Sequence, residues 1–210
     1  MQAFRSCLFA LLIGAAAQPA AAWEWRRPAT ISSYVGAGNE YRFKQALAFK
    51  YESAHETMYA LSLDWHLPPD SAVNRGAAWL GASIEPAVLV GYRDDRQQDI
   101  GIAEAVLCAN LRWSNFPWND SLRTSLAIGW GVSYTSDITA NEAEDAAKTD
   151  PDEGPQRWLN YLSFEAGFAL PRNPNWQLFY RLHHRSGAFG LFADNDVGSN
   201  VMGLGVRYFF

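Results

Sequence analysis

Apolar residues recur at every second position in run after run of this chain, from about residue 29 to its end. Successive side chains of a β-strand point to opposite faces, so a two-residue period implies extended structure and assigns each residue to a face. Near 77–93, Leu80, Ala82, Ile84, Pro86, Val88, Val90 and Tyr92 share one face, and Trp79, Ser83 and Glu85 share the other. Near 121–136, Leu122, Thr124, Leu126, Ile128, Trp130, Val132 and Tyr134 oppose Arg123, Ser125, Gly129, Gly131 and Ser133. In the final run, Met202, Leu204, Val206, Tyr208 and Phe210 oppose Gly203, Gly205, Arg207 and Phe209. Strands are expected near 29–38, 55–67, 77–93, 99–113, 121–136, 157–170, 175–187 and 199–210. The stretch from Asn39 to Glu56 reads either as a loop or as a further strand around Phe43–Tyr51.

The polar face decides what kind of β protein this is. It carries Asp64, Glu85, Glu104, Arg123, Glu165, Arg181 and Arg207 at strand centres. A soluble sandwich turns such a face to water and buries the apolar one. A membrane barrel does the reverse, with an apolar outside and a polar, glycine-rich inside. Small barrels fill that interior with side chains, and opposite charges there can pair. The chain holds nine tryptophans, a residue that gathers where apolar and wet surroundings meet. Residues 1–22 read as an export leader: Arg5 marks a basic start, Leu8–Ala17 an apolar core, and Ala20–Ala22 a small-residue cleavage site. The expected organisation is that leader followed by one barrel domain over 23–210. The terminal Arg207-Tyr208-Phe209-Phe210 resembles the C-terminal signal of outer-membrane barrels. The expected fold is an all-β, eight-stranded antiparallel transmembrane barrel in a bacterial outer membrane. A soluble periplasmic β-barrel is the competing architecture.

Other classes are excluded more simply. Cys7 falls in the leader, which leaves Cys108 without an intramolecular partner. The net charge of −5 argues against nucleic acid as a partner. There is no Cys/His cluster, phosphate loop or nucleotide fingerprint, so neither cofactor nor metal is expected.

Connection lengths orient the barrel. If the last strand ends in the periplasm, Leu67–Gly76, Ser114–Ser121 and Pro171–Pro174 should be periplasmic turns. The polar stretch Asp137–Gln156 then belongs outside, where loops are long, although the Asp94–Gln98 link on that side is short. The seventh strand runs outward, and its end meets the outer leaflet.

That strand end carries chemistry. Even positions of 176–186 are Trp, Leu, Tyr, Leu, His184 and Ser186. A base and a hydroxyl therefore share an apolar face, where an unpartnered polar group costs about 1–3 kcal/mol. Serine becomes a nucleophile when a neighbouring base takes its proton and a third group orients that base. Residues two apart on a strand project the same way, so His184 and Ser186 form a candidate dyad. Asp194 and Asp196, in the next connection, are the acids near enough in sequence to fold back over it. Gly187, Gly190 and Gly198 flank the pair and can admit backbone N–H donors or simply shape the turn. His183 and Arg185 fall on the opposite, luminal face, Arg185 as a salt-bridge partner. His55 and His66 are too scattered to form a site.

The stretch Tyr180-Arg181-Leu182-His183-His184-Arg185-Ser186-Gly187-Ala188 resembles the outer-membrane lipid A 3-O-deacylase family (PagL-type). Leu111–Trp118 and Leu159–Glu165 are similar to a proteobacterial branch related to it, and the likeness extends over most of 77–210. The resemblance implies an eight-stranded barrel with a lipid-facing His-x-Ser pair. It implies that serine attacks the 3-position ester of lipid A, with histidine as base and a glutamate orienting the histidine. Two positions depart from the pattern. Gly187 stands where the family has asparagine, and the family's glutamate is missing around Gly198 and Ser199. Asp196 is the nearest acid and the expected third residue. The expected activity is removal of the 3-position acyl chain from lipid A in the lipopolysaccharide leaflet. The alternative is a non-catalytic barrel with a structural or adhesive role.

Overall fold

The structure, a computed structural model, describes residues 29–149, 154–188, 191–193 and 197–210. The expected leader, Gly190, Asp194 and Asp196 lie outside them.

Eight antiparallel strands close into a barrel in which each pairs with its neighbours in sequence and the last pairs with the first. They are β1 (Thr30–Asn39), β2 (Ser53–Asp64), β3 (Ser83–Asp95), β4 (Ile100–Trp113), β5 (Arg123–Thr135), β6 (Trp158–Ala169), β7 (Trp176–Ser186) and β8 (Gly198–Phe209). The short helices α1 (Phe43–Leu47), α2 (Ala72–Ala78) and α3 (Ala140–Thr149) lie in connections. None of the helices among the described residues is long and apolar enough to cross a membrane.

The alternation expected from the sequence sorts the faces. Ile31, Val35, Leu61, Val90, Leu107, Leu178 and Leu204 lie on the exposed outside. Asp64, Glu85, Glu104, Glu165, Arg181 and Arg207 are buried inside. Arg123 is a correction: it is the first residue of β5 and stands exposed at the rim rather than enclosed in the lumen. An apolar and aromatic layer built around Tyr34, Met58, Leu89, Val106, Tyr161 and Phe179 fills the middle of the lumen.

Two ionic networks bracket that layer. At the end carrying α2, Glu165 accepts hydrogen bonds from Arg112, Arg181 and Arg207 at 2.6–2.8 Å, and Glu85 accepts a second one from Arg112 at 2.7 Å. The Arg181 and Arg207 guanidiniums also lie 4.9 Å from the Phe179 ring centre, so the middle layer meets this network through cation–π contacts. At the other end, Arg93 donates to Glu56 at 2.5 Å and to Glu104 at 2.6 Å. His183 Nε2 lies 2.9 Å from Glu104, which makes His183 luminal as expected. Arg185 is also luminal, and α3 supplies its partner. Thr139 caps α3 by accepting from the Glu142 N–H, and the fully buried Glu142 enters the barrel mouth. There it accepts from Arg185 at 2.7 and 2.8 Å and from the Ser199 hydroxyl at 2.7 Å.

Two regions differ from the sequence expectation. The third strand begins at Ser83 rather than near 77, because 72–78 coil into α2. Ser71 caps that helix, and Asn74 ties it down by donating to Leu67 O and Pro68 O and accepting from Ile84 N. The expected short turn is thus a longer, structured connection in which Trp79 and Leu80 remain exposed. Between β1 and β2, the hidden strand considered around 43–51 is instead α1.

Candidate functional site

His184 and Ser186 project from β7 onto the outer face, and the inward residues of the same strand end hold them in place. Arg185, between them, is clamped by Glu142; Ser199, opposite Arg185 on β8, hydrogen-bonds the same carboxylate. A luminal network thus fixes the backbone from which the outward pair emerges, the kind of rigid support a precise site requires.

The sheet register sets the neighbours. His184 lies between Leu162 on β6 and Asn200 on β8, and Ser186 lies between Asn160 and Gly198. His184 Nδ1 is 2.8 Å from Asn200 Oδ1. Asn200 Nδ2 donates to the Tyr41 carbonyl at 2.9 Å. A carbonyl only accepts, so the amide nitrogen faces Tyr41 and the amide oxygen faces the histidine. The oxygen can only accept in turn, so Nδ1 carries the proton and Nε2 presents a lone pair. Asn200 thereby fixes the tautomer of His184. No hydrogen bond joins Ser186 to His184 among the described residues, and the two share a face two residues apart.

The sequence expectation gave this orienting role to Asp196, which lies outside the described residues. Among the described residues, the side chain that hydrogen-bonds His184 is Asn200, an amide. At the positions where the family's glutamate was sought, Ser199 points into the lumen toward Glu142. Gly198 has no room for a side chain: a Cβ there would lie 2.2 Å from Arg185 O. Asn200 sits on the even, outward face of the last strand, but its meeting with His184 depends on the β7–β8 register. A search confined to carboxylates passes it over.

The β1–β2 connection closes the site from outside. Asn39, opposite Asn200 on β1, accepts from Tyr41 N and Glu52 N and donates to Lys50 O, folding residues 40–52 back over the barrel wall. The Phe43 ring lies 4.4 Å from the His184 ring and 5.7 Å from Phe164. Phe49 ends α1 at φ 60°, a left-handed conformation uncommon outside glycine, and its ring meets Tyr180 at 5.5 Å. Below this strap runs an almost wholly apolar groove of about 310 Å³, lined by Leu47, Phe49, Leu126, Ile128, Phe164 and Leu182 among others. Its lining on β7 is Tyr180 and Leu182, one step along the strand from His184. No group of three or more His, Cys, Asp or Glu side chains is placed to hold a metal ion among the described residues.

No protein-family model matches the chain, and no curated protein sequence matches it. Solved structures do match in shape. The outer membrane enzyme PagL superposes with a TM-score of 0.52 at 18% identity, covering 87% of this chain and 100% of that one. Neisserial surface protein A matches with a TM-score of 0.46 at 11% identity, covering 86% and 94%. The Yersinia pestis outer membrane protein Ail matches with a TM-score of 0.38 at 12% identity, covering 86% and 99%. At these identities the likeness is one of fold: the chain has the eight-stranded barrel of small bacterial outer-membrane proteins.

Proposed function

We propose that the protein is an outer-membrane serine ester hydrolase that removes the 3-position acyl chain from lipid A. The observation that carries this reading is the row Asn200–His184–Ser186 on a mostly apolar outer wall, with the base held in its proton-accepting tautomer. Nothing about barrel stability calls for an oriented imidazole and a hydroxyl there. Burying them costs free energy that a membrane-facing nucleophile would justify. The adjoining groove suits an extended acyl chain, and its apolar lining matches a substrate that never leaves the leaflet. The resemblance in residues 180–188 narrows the ester to the 3-position of lipid A. The end carrying α1 and α3 is then the outer-leaflet end.

The chemistry is that of an activated serine. His184 Nε2 takes the Ser186 proton as Oγ bonds to the ester carbonyl carbon. The tetrahedral intermediate then expels the sugar oxygen, which takes the proton from His184. Water, deprotonated by the same imidazole, attacks the acyl-serine, the bond to Oγ breaks as Oγ takes the proton back from His184, and a 3-hydroxy fatty acid leaves. An amide in the orienting position has precedent in the Cys-His-Asn arrangement of cysteine proteases.

The test is mass spectrometry of lipid A from cells with and without the folded protein. Loss of one 3-hydroxyacyl mass is the expected result, and unchanged lipid A would overturn the reading. The amide partner favours a second reading, a non-catalytic barrel with a structural role, and that result would point to it.

Asn200 supplies a finer prediction. Asn200→Ala removes the acceptor that fixes the tautomer, and turnover should fall by about 10²- to 10⁴-fold, toward the loss seen when a triad's orienting group is removed. Asn200→Asp keeps an acceptor and adds a charge that stabilises the imidazolium, so it should restore activity to the wild-type level or above. Turnover of purified enzyme on lipopolysaccharide in detergent measures both. An Asn200→Ala variant as fast as wild type would exclude the role.

A further inference from the structure

Ser186 has a second amide beside it, on the strand opposite Asn200. Asn160 on β6 is the direct cross-strand partner of Ser186, and its position in the alternation puts its side chain on the same outer face. It is only 6% exposed, although the outer wall around it is apolar. The Trp130 indole donates to Asn160 Oδ1 at 2.7 Å. An indole N–H can only donate, so this contact fixes which end of the amide is oxygen. That contact leaves Nδ2 turned away from Trp130, with its hydrogens available to donate elsewhere. An amide whose orientation is fixed thus lies beside a serine on the outer face.

On β8 the residue opposite Ser186 has no side chain. Gly198 faces it there, and a Cβ at that position would sit 3.3 Å from the Ser186 Cα as well as against Arg185 O. Side chains directly opposed in an antiparallel pair have Cβ atoms about 4.5–5.5 Å apart. An ester carbonyl carbon bonded to Ser186 Oγ therefore brings its oxygen within reach of the Asn160 amide.

We propose that Asn160 Nδ2 donates to the carbonyl oxygen of the ester as negative charge develops on it, and that Trp130 positions the amide for this. The inference rests on the serine-hydrolase reading above. As Ser186 Oγ bonds to the carbonyl carbon, its proton passes to His184 Nε2 and the carbonyl π pair moves onto oxygen. Asn160 donates to that oxyanion. When the intermediate collapses, the pair re-forms the C=O bond, the bond to the sugar oxygen breaks, and that oxygen takes the proton from His184. A donor preset at this point acts on the transition state more than on the ground-state ester. It occupies the oxyanion side of the site, where Gly187 offers no side-chain amide.

The experiment uses the full-length protein in detergent, with lipopolysaccharide turnover and fluorophosphonate labelling of Ser186 as readouts. Asn160→Ala should lower kcat by about 10²- to 10³-fold with little change in KM, as for loss of one oxyanion donor. Asn160→Asp keeps the shape and removes the donors, so it should lose as much. Trp130→Phe keeps an aromatic ring but frees the amide, and should show a smaller fall, confined to kcat. Phosphonylation of Ser186 places an oxygen on the same donor and should slow in parallel. A role in packing alone would be satisfied by Asn160→Asp and would leave kcat unchanged in that variant. Wild-type kcat and labelling rate in both Asn160 variants would overturn the proposal. If the wild-type protein neither turns over lipopolysaccharide nor labels at Ser186, the serine-hydrolase reading itself fails and this inference falls with it.

Discussion

Ser186→Ala should leave lipid A at the mass seen in cells without the protein, while the wild-type protein removes one 3-hydroxyacyl group. Removing the nucleophile of a serine hydrolase lowers turnover by about 10⁶-fold, which is beyond detection in a cellular assay. His184→Ala should lose nearly as much, since the serine proton then has no acceptor, and the double variant should be hardly worse than either single one. That non-additivity separates a working pair from two residues that each merely contribute to packing. Both side chains are only half-buried and neither belongs to the luminal networks. The variants should therefore fold as the wild type does, which the mobility of unheated samples on gels checks. Retained deacylation in a folded Ser186→Ala protein would remove Ser186 from the mechanism.

The sequence made the faces legible because a strand has an integer period. Parity alone put His184 and Ser186 outside and His183 and Arg185 inside, and the luminal partners of both inward residues follow that assignment. Parity does not carry across strands. Asn200 and Asn160 are outward by the same count, but their meeting with His184 and Ser186 depends on how β6, β7 and β8 slide past one another. Register is set by loop lengths and packing summed over the whole barrel. Strand ends were also hidden. Ala77 and Ala78 fit an alternating run, yet the Ser71 cap and the Asn74 hydrogen bonds make them helical. Arg123 fits the luminal parity, yet it lies one step too close to the rim to be enclosed. The α1 strap has no sequence signature of its own. Its Phe43 is placed by the Asn39 side chain, which accepts from the backbone N–H groups of Tyr41 and Glu52, and a strand pattern does not reveal this.

The largest stability effect should come from the far end of the barrel. Glu165 is one buried carboxylate facing three buried guanidiniums, those of Arg112, Arg181 and Arg207. Arg112 has a second partner in Glu85, but among the described residues Arg207 otherwise meets the side-chain oxygen of Gln177 and the Phe179 ring, neither of which carries a charge. Glu165→Leu leaves up to three cations in the lumen with little to oppose them. Breaking one buried pair costs about 3–5 kcal/mol, and here one substitution breaks several. The urea midpoint of the barrel in lipid vesicles should fall steeply, or the variant should fail to fold into vesicles at all. Glu165→Gln keeps the shape and two hydrogen-bonding groups, so it should lose less. Glu85→Gln should lose less still, because Arg112 retains Glu165. Removing a cation as well should recover part of the loss: Glu165→Leu with Arg207→Met leaves fewer uncompensated charges than Glu165→Leu alone. If the double variant were no more stable than the single one, the loss would stem from packing around residue 165 rather than from unpaired charge. The contrast with Ser186 follows from the same alternation: the inner face carries the charges on which folding depends, and the outer face carries the proposed catalytic pair.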